Sequence, residues 1–476
     1  MIRPAPALRH LFAPASVAVV GASRTPGKMG YDVLRALVES PYPGDVYPIN
    51  RDGGEVLGLK AYQSLDETPS VPDLAFVVVP SGDVVPTLRG AAARGVRVAQ
   101  VLSSGFGEVG DAGRRAEAEI TALAEASGLR VVGPNCVGTY SSRSGLSWTT
   151  RASFEPGGVS FVSQSGGLAY DLLLRGRQQG IRFDNVVSVG NCVDVQIADV
   201  LRYLGGLAST EVVGLYIEGV PDGREFMAAV REGLGATPLV ILKGGRSDEG
   251  GKSVGSHTGR LAGDYRLWQA AFRQVDAVEV RTMDSMLAVL AGLASRPLGI
   301  HSNRVALLGN GGGATVLAVD RCAELGLETA TLADRSLARL HGVVRFDGVL
   351  PAGGSPLDLP LGRLLSDGGR LFAEVLDVYC SDPSVNVVVP HLNLVPLGEW
   401  ENRHTVIEDW MQQLARLDIG DTVVFPVLRT DGSAELDSLQ RNLAERFAAE
   451  FRWPTFERIE EALEAASALF RVGRRR

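Results

Sequence analysis

Short apolar runs alternate with stretches of helical spacing along most of the chain. In the first third, such runs predict strands at Ser16–Val20, Val46–Ile49, Leu74–Val79, Val96–Leu102 and Leu129–Val132, with helices at Met29–Val38 and Asp111–Ala126. Strands that are apolar on both faces and alternate with helices are typical of a parallel sheet covered on both sides. The pattern therefore predicts a doubly wound α/β domain over residues 1–148.

The same alternation returns in two later segments. Strands are predicted at Gly158–Val162, Val186–Val189, Val212–Ile217 and Leu239–Lys243, and then at Arg304–Leu308, Val385–Val389 and Thr422–Pro426 before a helix at Glu457–Val472. The segment Arg296–Asn303, which contains glycine and proline, indicates a linker. We therefore predict further α/β domains at 149–298 and 299–476. Val349–Pro360 predicts a long functional loop or an irregular connection.

Composition narrows the class of protein. The 476 residues are enough for three domains, and 47 basic against 55 acidic residues give a net charge of −8. Such a charge excludes a basic surface for nucleic acid or anionic lipid. Four scattered cysteines predict neither a metal site nor a disulfide framework and suit a reducing compartment. Without a signal-peptide core or a long apolar run, the chain is expected to be a soluble cytoplasmic protein.

A glycine turn follows the first predicted strand. Gly21, Gly27 and Gly30 precede a helix whose first backbone amides could hold a phosphate, although their spacing is not GxGxxG. Asn50-Arg51 stands where a dinucleotide fold usually places an acidic residue for the ribose diol. This pair favours a phosphorylated ribose and leaves NADP or coenzyme A open. Alternatively, the glycines serve only helix–sheet packing.

Polar residues also follow the later strands of this domain. Pro80-Ser81, Ser103-Ser104-Gly105 and Gly133-Pro134-Asn135 fall where open α/β sheets bind ligands. Taken singly, each is an ordinary polar loop.

In the second domain, Ser163-Gln164-Ser165-Gly166-Gly167 joins a strand to a predicted helix at Leu168–Leu174. Two hydroxyls and several amides at the positive end of the helix dipole would make an oxyanion or phosphate cradle. A serine N-cap with a glycine turn explains one serine of this cluster. The segment does not match GxSxG, which disfavours acyl-serine chemistry.

The segment Lys243–Gly263 surrounds His257 with seven glycines, three serines and a threonine. It predicts a flexible loop that presents His257 just before a helix at Leu261–Phe272. Histidine can accept a phosphoryl group when its other ring nitrogen is oriented, and Glu218, at the end of a strand, is the best carboxylate for that task. The alternative is a solvated surface histidine. Lys243, Arg246 and Lys252 either attract phosphate or keep the loop soluble.

Together these segments resemble a known family. The motifs are VVGASRTPGKMGYDVLRAL, VYPIN, VLGLKAYQSL, SSGFGEVG, GPNCVGTYS, VSQSGGLAYDLL, LYIEGV and GRSDEGGKSVGSHTGRLAG. They resemble the alpha subunit of NDP-forming acyl-CoA synthetases, especially ADP-forming acetyl-CoA synthetase, and more distantly the succinyl-CoA synthetase alpha subunit. The resemblance runs from about residue 8 to about residue 360 and then weakens.

The resemblance implies a Rossmann-like coenzyme A domain followed by two flavodoxin-like domains. It implies that His257 is transiently phosphorylated, that Glu218 is its hydrogen-bonding partner, and that the phosphate lies on Ser163, Ser165, Gly166 and Gly167. For coenzyme A, the matching positions are Gly21, Ala22, Ser23, Arg24, Asn50, Arg51, Pro80, Ser103, Ser104 and Asn135. In the implied reaction, acyl-CoA and phosphate give an acyl phosphate and free coenzyme A. The histidine then accepts the phosphoryl group, releasing the carboxylic acid, and passes it to a nucleotide, so that the energy of the thioester is conserved in ATP.

Three departures from the family pattern bear on where the nucleotide binds and on whether the chain is catalytic. No ATP-grasp pattern follows residue 300, so ADP or ATP with Mg is expected on a separate beta subunit in a heteromer. Cys192 stands where relatives usually have lysine, and GNGGGATVLA and Ser355-Pro356-Leu357-Asp358 replace the usual third-domain motifs. A coenzyme A-binding or -sensing paralogue without a partner is therefore the main alternative. An NADP-dependent oxidoreductase ranks last because it leaves the histidine segment unexplained.

Overall fold

Parallel sheets form where the apolar runs alternate with helices. The computed structural model describes residues 8–258, 264–295, 300, 302–309, 311–344 and 350–474, with the backbone alone for 255–258. The chain divides into two compact units, residues 1–177 with 182–283 and residues 178–181 with 284–476. The first unit contains the first and second sheets, and the second unit contains the third. The domain limits at 148/149 and 298/299 remain predictions.

The first sheet is parallel and has the strand order β2-β1-β5-β6-β7. The inner strands β1, β5 and β6 are buried on both faces because helices cover each side. The elements of this segment are α1 (Arg9–Phe12), β1 (Ser16–Val20), α2 (Met29–Glu39), β2 (Asp45–Ile49), β3 (Glu55–Val56), β4 (Leu59–Lys60), β5 (Leu74–Val77), α3 (Ser81–Arg94), β6 (Val98–Val101), α4 (Asp111–Ser127), β7 (Arg130–Val132) and β8 (Thr139–Ser141).

The second sheet has the order β13-β12-β11-β9-β10-β8, in which β8 is an antiparallel edge strand. The sequence predicted no strand at β8, and the predicted parallel arrangement is confirmed for the other pairs of this sheet. The elements are β9 (Val159–Ser163), α5 (Gly166–Gln178), β10 (Phe183–Ser188), α6 (Ile197–Gly205), β11 (Val212–Ile217), α7 (Gly223–Ala228), β12 (Leu239–Lys243), α8 (Asp248–Thr258), α9 (Tyr265–Gln274) and β13 (Val278–Val280).

The third sheet has the order β15-β14-β17-β18, with β16 beside β14 and β19 beside β17. The predicted strand Thr422–Pro426 is divided at Phe425-Pro426, and the predicted loop Val349–Pro360 contains β16, while 345–349 lie outside the described residues. The elements are α10 (Met283–Ser295), β14 (Arg304–Gly309), α11 (Gly312–Glu324), β15 (Glu328–Thr329), α12 (Asp334–Val344), β16 (Leu357–Asp358), α13 (Leu361–Leu365), α14 (Arg370–Cys380), β17 (Val387–Asn393), α15 (Val395–Gly398), α16 (Arg403–Leu414), β18 (Val423–Val424), β19 (Val427–Arg429), α17 (Ala434–Arg446) and α18 (Ile459–Gly473).

A buried ion cluster ties the first two sheets into one unit. Arg130 in β7 contacts Asp194 at 3.0 Å and Asp199 in α6 at 3.1 Å, and the backbone N–H of Val131 also donates to Asp194. A buried guanidinium is tolerated when carboxylates pair with it. An apolar core continues between the two sheets. Among the helices of the described ranges, none is both long and apolar enough to cross a membrane.

Helix α10 lies in the second unit, where Gly292 lets it approach α18 closely. A Cβ added at Gly292 would lie 2.7 Å from the Cβ of Ala465 and 3.2 Å from the ring of Phe425. Gly342, in the exposed face of α12, would meet nothing within 4 Å. Alanine substitution at each of these two helical glycines therefore separates the effect of packing on stability from the effect of helix propensity.

We expect Gly292→Ala to lower the free energy of unfolding by about 1–2 kcal/mol, because overpacking outweighs the gain in helix propensity. Gly342→Ala should leave it unchanged or raise it by up to about 1 kcal/mol. Urea unfolding followed by circular dichroism measures both. Equal shifts in the two variants would contradict the close packing of α10.

Candidate active site

The loops that follow the parallel strands of the first sheet lie at one edge. The chain moves to opposite sides after β1 and after β2, so a topological switch point falls between β1 and β5, where open α/β sheets bind ligands. All residues predicted for coenzyme A follow these strands: Gly21, Ala22, Ser23 and Arg24 after β1, Asn50 and Arg51 after β2, Pro80 after β5, Ser103 and Ser104 after β6, and Asn135 after β7.

Two glycines of the first turn are required by close backbone approach. Gly21 has a φ of +96°, and a Cβ there would lie 2.3 Å from the carbonyl oxygen of Val78. A Cβ at Gly30 would lie 2.1 Å from the carbonyl oxygen of Gly21. The packing explanation therefore accounts for these two positions. Gly27, with a φ of +81° and open space around it, shapes the turn itself.

Arg24 and Asn50 tie the turn after β1 to the loop after β2. Asn50 Nδ2 donates to the carbonyl oxygen of Ala22 at 2.7 Å. Arg24 Nε donates to the carbonyl oxygen of Glu55 at 3.0 Å, and its Nη2 donates to that of Gly53. Both side chains thus hold the shape of the edge.

Arg51 points away from this framework. Its side chain is 84% exposed, and its Nη2 lies 2.8 Å from Asp83 Oδ2 in the first turn of α3. Exposed ion pairs contribute little to stability, so Arg51 can exchange Asp83 for another anion at low cost.

Ser103 and Asn135 join the edges of the first and second sheets. Ser103 Oγ donates to the carbonyl oxygen of Val79 at 2.5 Å, and the Ser103 carbonyl accepts the N–H of Asn135 at 2.9 Å. Asn135 Nδ2 lies 3.5 Å from Asn191 Oδ1, which follows β10. Ser104 is exposed, and Pro80 directly precedes α3.

In the second sheet the switch point falls between β9 and β11, and Gln164 bridges it. Gln164 Oε1 accepts the N–H groups of Glu218 at 2.5 Å and Gly219 at 3.2 Å, while Nε2 donates to the carbonyl oxygen of Gly219 at 3.0 Å. Sequence reasoning missed this role. The sequence feature that could have indicated it is a long polar residue between two serines at the end of a buried strand.

Both serines of the turn after β9 are hydrogen-bonded locally. Ser163 is buried, and its hydroxyl donates to the Ser165 carbonyl at 2.7 Å and accepts the Ser165 N–H at 3.1 Å. Ser165 Oγ accepts the N–H of Leu168 at 3.3 Å and so caps α5. A Cβ at Gly166 would lie 2.5 Å from Val137 Cγ1, whereas Gly167 faces open space. The turn therefore accounts for the Ser163 hydroxyl and the helix cap for the Ser165 hydroxyl. The sequence alone had suggested such a local role for only one of the two serines.

Glu218 follows β11 and is held by a tyrosine two residues earlier. Tyr216 donates its hydroxyl to Glu218 Oε1 at 3.1 Å. Glu218 Oε2 is buried and has no hydrogen-bond partner among the described residues. Burial and the nearby Glu218 charge raise the pKa of Tyr216 above its ordinary value, so the phenol keeps its proton. Tyr216 was also missed, although it shares a strand face with Glu218.

Lys243 is a buried cation at the end of β12. It is 2% exposed, and its Nζ donates to the carbonyl oxygens of Glu218, at 2.8 Å, and Gly244. Burial lowers its pKa to about 8, against the opposing effect of the Glu218 charge, and the Arg246 charge lowers it further. The ammonium also lies 5.3 Å from the ring centroid of Trp268. The proposed solubilising role is therefore wrong for Lys243.

The predicted loop around His257 is wrong for residues 248–258, which form α8. Ser247 Oγ accepts the N–H of Gly250 at 3.1 Å, and Asp248 and Glu249 favour the positive end of the helix dipole. His257 lies in this helix, and its side chain is outside the described residues. The predicted helix Leu261–Phe272 corresponds to α9, while 259–263 also lie outside the described residues.

Known proteins similar to this chain identify its family. Residues 15–142 match the model described as a CoA binding domain, and residues 156–293 match a succinyl-CoA ligase like flavodoxin domain. Two relatives from Pyrococcus furiosus, the alpha subunits of acetate–CoA ligases [ADP-forming] II and I, are 34% and 32% identical to it. These matches cover 97% and 98% of this chain and 97% of each relative. The chain belongs to the family of ADP-forming acetate–CoA ligase alpha subunits.

A solved structure matches the fold over nearly the same length. The dinucleotide-forming acetyl-CoA synthetase 1 of Ca. Korarchaeum cryptofilum, in complex with phosphate and ADP, has a TM-score of 0.83 at 27% identity. The match covers 98% of this chain and 97% of that chain. The predicted α/β class is confirmed. The family match also extends past residue 360, where the motifs alone predicted that it weakens.

The departures from the family motifs have local structural roles. Cys192 is buried at a φ of +48°, with Sγ 3.4 Å from the carbonyl oxygen of Gly190, so a thiol in the core takes the place of the usual lysine. In the third sheet, Ser355 Oγ accepts the N–H of Leu307 at 3.0 Å, and Asp358 Oδ1 accepts that of Gly311 at 2.8 Å. Asn310 lies outside the described residues.

The lowered pKa of Lys243 makes stability depend on pH. Above about pH 8 the folded chain releases this proton, while the unfolded chain keeps it until near pH 10, so the unfolded state binds more protons in this interval. We expect the unfolding free energy of the wild type, minus that of Lys243→Met, to rise between pH 8 and pH 10. Urea unfolding of both proteins across this range measures the difference. A constant difference would contradict the shift.

Proposed function

We propose that this chain is the alpha-type subunit of an ADP-forming acyl-CoA synthetase. It interconverts acyl-CoA, phosphate and ADP with carboxylic acid, coenzyme A and ATP, through an acyl phosphate and a phosphohistidine at His257 that passes its phosphoryl group to ADP. The observation that carries the proposal is the match to ligase alpha subunits over 97% of each chain. The neighbouring α5 N-terminus and Glu218 at the β9–β11 switch point support it.

The first step forms the acyl phosphate. A phosphate oxygen attacks the thioester carbonyl carbon, the C–S bond breaks, and coenzyme A leaves as a thiolate that takes up a proton. Backbone amides at the start of α5 and the helix dipole favour the phosphate charge there. We assign Ser163, Ser165, Gly166 and Gly167 to this subsite, with Ser163 shaping the turn, Ser165 capping α5, and the backbone N–H groups of Gly166 and Gly167 facing the phosphate.

The second step moves the phosphoryl group to His257. A ring nitrogen attacks phosphorus, the bond from phosphorus to the acyl oxygen breaks, and the carboxylate leaves. The other ring nitrogen keeps its proton when it donates to a carboxylate. We assign Glu218 to this task because its Oε2 is buried without a partner among the described residues.

Coenzyme A is assigned to the carboxyl edge of the first sheet. The match of residues 15–142 to a CoA binding domain supports this assignment. Arg24, Asn50, Ser103 and Asn135 would hold the shape of the edge through the hydrogen bonds described above. Gly21, Ala22, Ser23, Pro80 and Ser104 would line it. Arg51 would bind the ribose phosphate.

The nucleotide and Mg²⁺ are assigned to a separate ATP-grasp beta subunit. The lengths of the relatives support this division, since this chain covers 97% of each of the two acetate–CoA ligase alpha subunits of Pyrococcus furiosus. By contrast, it covers 47% of the Methanocaldococcus jannaschii acetate–CoA ligase [ADP-forming], whose name carries no subunit designation. A heteromer follows from this division. The coenzyme A-binding paralogue without catalysis is disfavoured because these relatives are named ligases.

His257→Asn should abolish phosphorylation of the chain. Incubation with inorganic phosphate and a panel of acyl-CoA thioesters, starting with acetyl-CoA, is followed by mass spectrometry for acid-labile phosphate on histidine. His341→Asn, in the exposed face of α12, is the matched control and should be labelled like the wild type. Undiminished label in His257→Asn would refute the assignment, and the thioester that supports labelling identifies the acyl class.

Arg51→Ala should weaken coenzyme A about tenfold, because a charge-assisted hydrogen bond contributes about 1.5–3 kcal/mol. Binding of dephospho-coenzyme A, which lacks the ribose phosphate, should not change. Isothermal titration calorimetry measures both. Arg89→Ala removes a similarly exposed ion pair, that with Glu119, and serves as control. An equal loss for both ligands would contradict a contact with the ribose phosphate.

A further inference from the structure

The two carboxylate oxygens of Glu218 have different surroundings. Oε1 accepts the hydroxyl of Tyr216, and Oε2 is buried without a hydrogen-bond partner in the described part of the chain. A buried carboxylate oxygen in this condition is costly and is rare in folded proteins. This difference between the two oxygens suits a site in which Oε2 accepts a hydrogen bond during the reaction.

The backbone of Glu218 is fixed on both sides. Its N–H donates to Gln164 Oε1 at 2.5 Å, and its carbonyl accepts Lys243 Nζ at 2.8 Å. These contacts place the Cα and leave the side-chain torsions as the main freedom of the carboxylate. A further contact is needed to orient the two oxygens.

Tyr216 supplies that contact from a confined position. Residues two apart on a strand share a face, so Tyr216 lies beside Glu218. A Cβ added at Gly244 would lie 2.5 Å from the Tyr216 hydroxyl oxygen and 3.4 Å from Glu218 Cγ. The phenol is thus packed against the backbone where β12 ends, and Gly244 in turn donates its N–H to the Ile217 carbonyl at 2.9 Å.

We propose that Tyr216 is a positioning residue: its hydroxyl holds Oε1 so that Oε2 faces the imidazole N–H during phosphohistidine formation. This inference rests on the proposed function. Loss of the hydroxyl would let the carboxylate rotate. The hydrogen bond from the imidazole N–H to Oε2, which fixes the ring nitrogen that carries the proton, would then be weaker. The phenol itself transfers no proton, because burial and the adjacent carboxylate keep it protonated.

Tyr216→Phe should slow phosphohistidine formation about tenfold, as expected for one hydrogen bond to a charged group. The rate is measured in a single turnover with saturating phosphate and acetyl-CoA. The phosphate concentration at half-maximal rate should stay unchanged, because the hydroxyl acts through Glu218 and not on the phosphate. Coenzyme A affinity should match that of the wild type.

A double-mutant cycle shows whether Tyr216 acts through Glu218. If it does, Tyr216→Phe should have no further effect in a Glu218→Gln background, whereas independent roles would make the two losses add. Tyr47→Phe is the matched control, because Tyr47 also donates to a carboxylate two residues away, Asp45, at 3.1 Å. This control should leave the rate unchanged.

The outcomes separate the two proposals. A labelled wild type with wild-type rates in Tyr216→Phe, or additive losses in the cycle, would overturn the role of Tyr216 and leave the proposed function standing. A wild type that takes no phosphate on histidine from any acyl-CoA, either alone or together with an ATP-grasp beta subunit, would overturn the proposed function and this inference with it.

Discussion

The candidate site depends on a single buried amide that joins two strand ends. Gln164 leaves β9 and hydrogen-bonds both the N–H and the carbonyl of Gly219 beyond β11, together with the N–H of Glu218. A buried amide must satisfy its polar atoms, so the two turns are held in one arrangement. The start of α5 and the carboxylate of Glu218 consequently lie at one switch point, and the proposed phosphate chemistry requires both there.

Buried charge around this point is balanced by specific partners. Lys243 donates to two carbonyl oxygens, lies near the ring of Trp268 and interacts electrostatically with Glu218. Desolvation disfavours a buried ammonium unless such acceptors replace water. Arg130 meets the same requirement through Asp194 and Asp199, which brings the first and second sheets into one unit. Both edges proposed for substrates therefore belong to a single compact part of the chain.

Sequence reasoning placed several buried strands at their observed bounds, because continuous apolar runs mark them. Ser16–Val20, Val212–Ile217 and Leu239–Lys243 have the same bounds in the sequence prediction and in the structure. It failed around His257, where glycine and serine suggested a loop, because an N-cap at Ser247 and two acidic residues after it stabilise a helix. Local cap chemistry outweighed composition there.

By itself the sequence determined the alternation of strands and helices, the α/β class and the positions of polar residues at strand ends, because burial periodicity and turn chemistry are local properties. It also carried the motifs by which the family is recognised. Tertiary structure alone decided that Gln164 bridges the ends of β9 and β11, that Lys243 is buried and that Tyr216 is packed against Gly244. These roles depend on which strands become neighbours and on how closely backbones such as Gly244 approach. Distances between residues far apart in the chain are set only when the sheet is assembled.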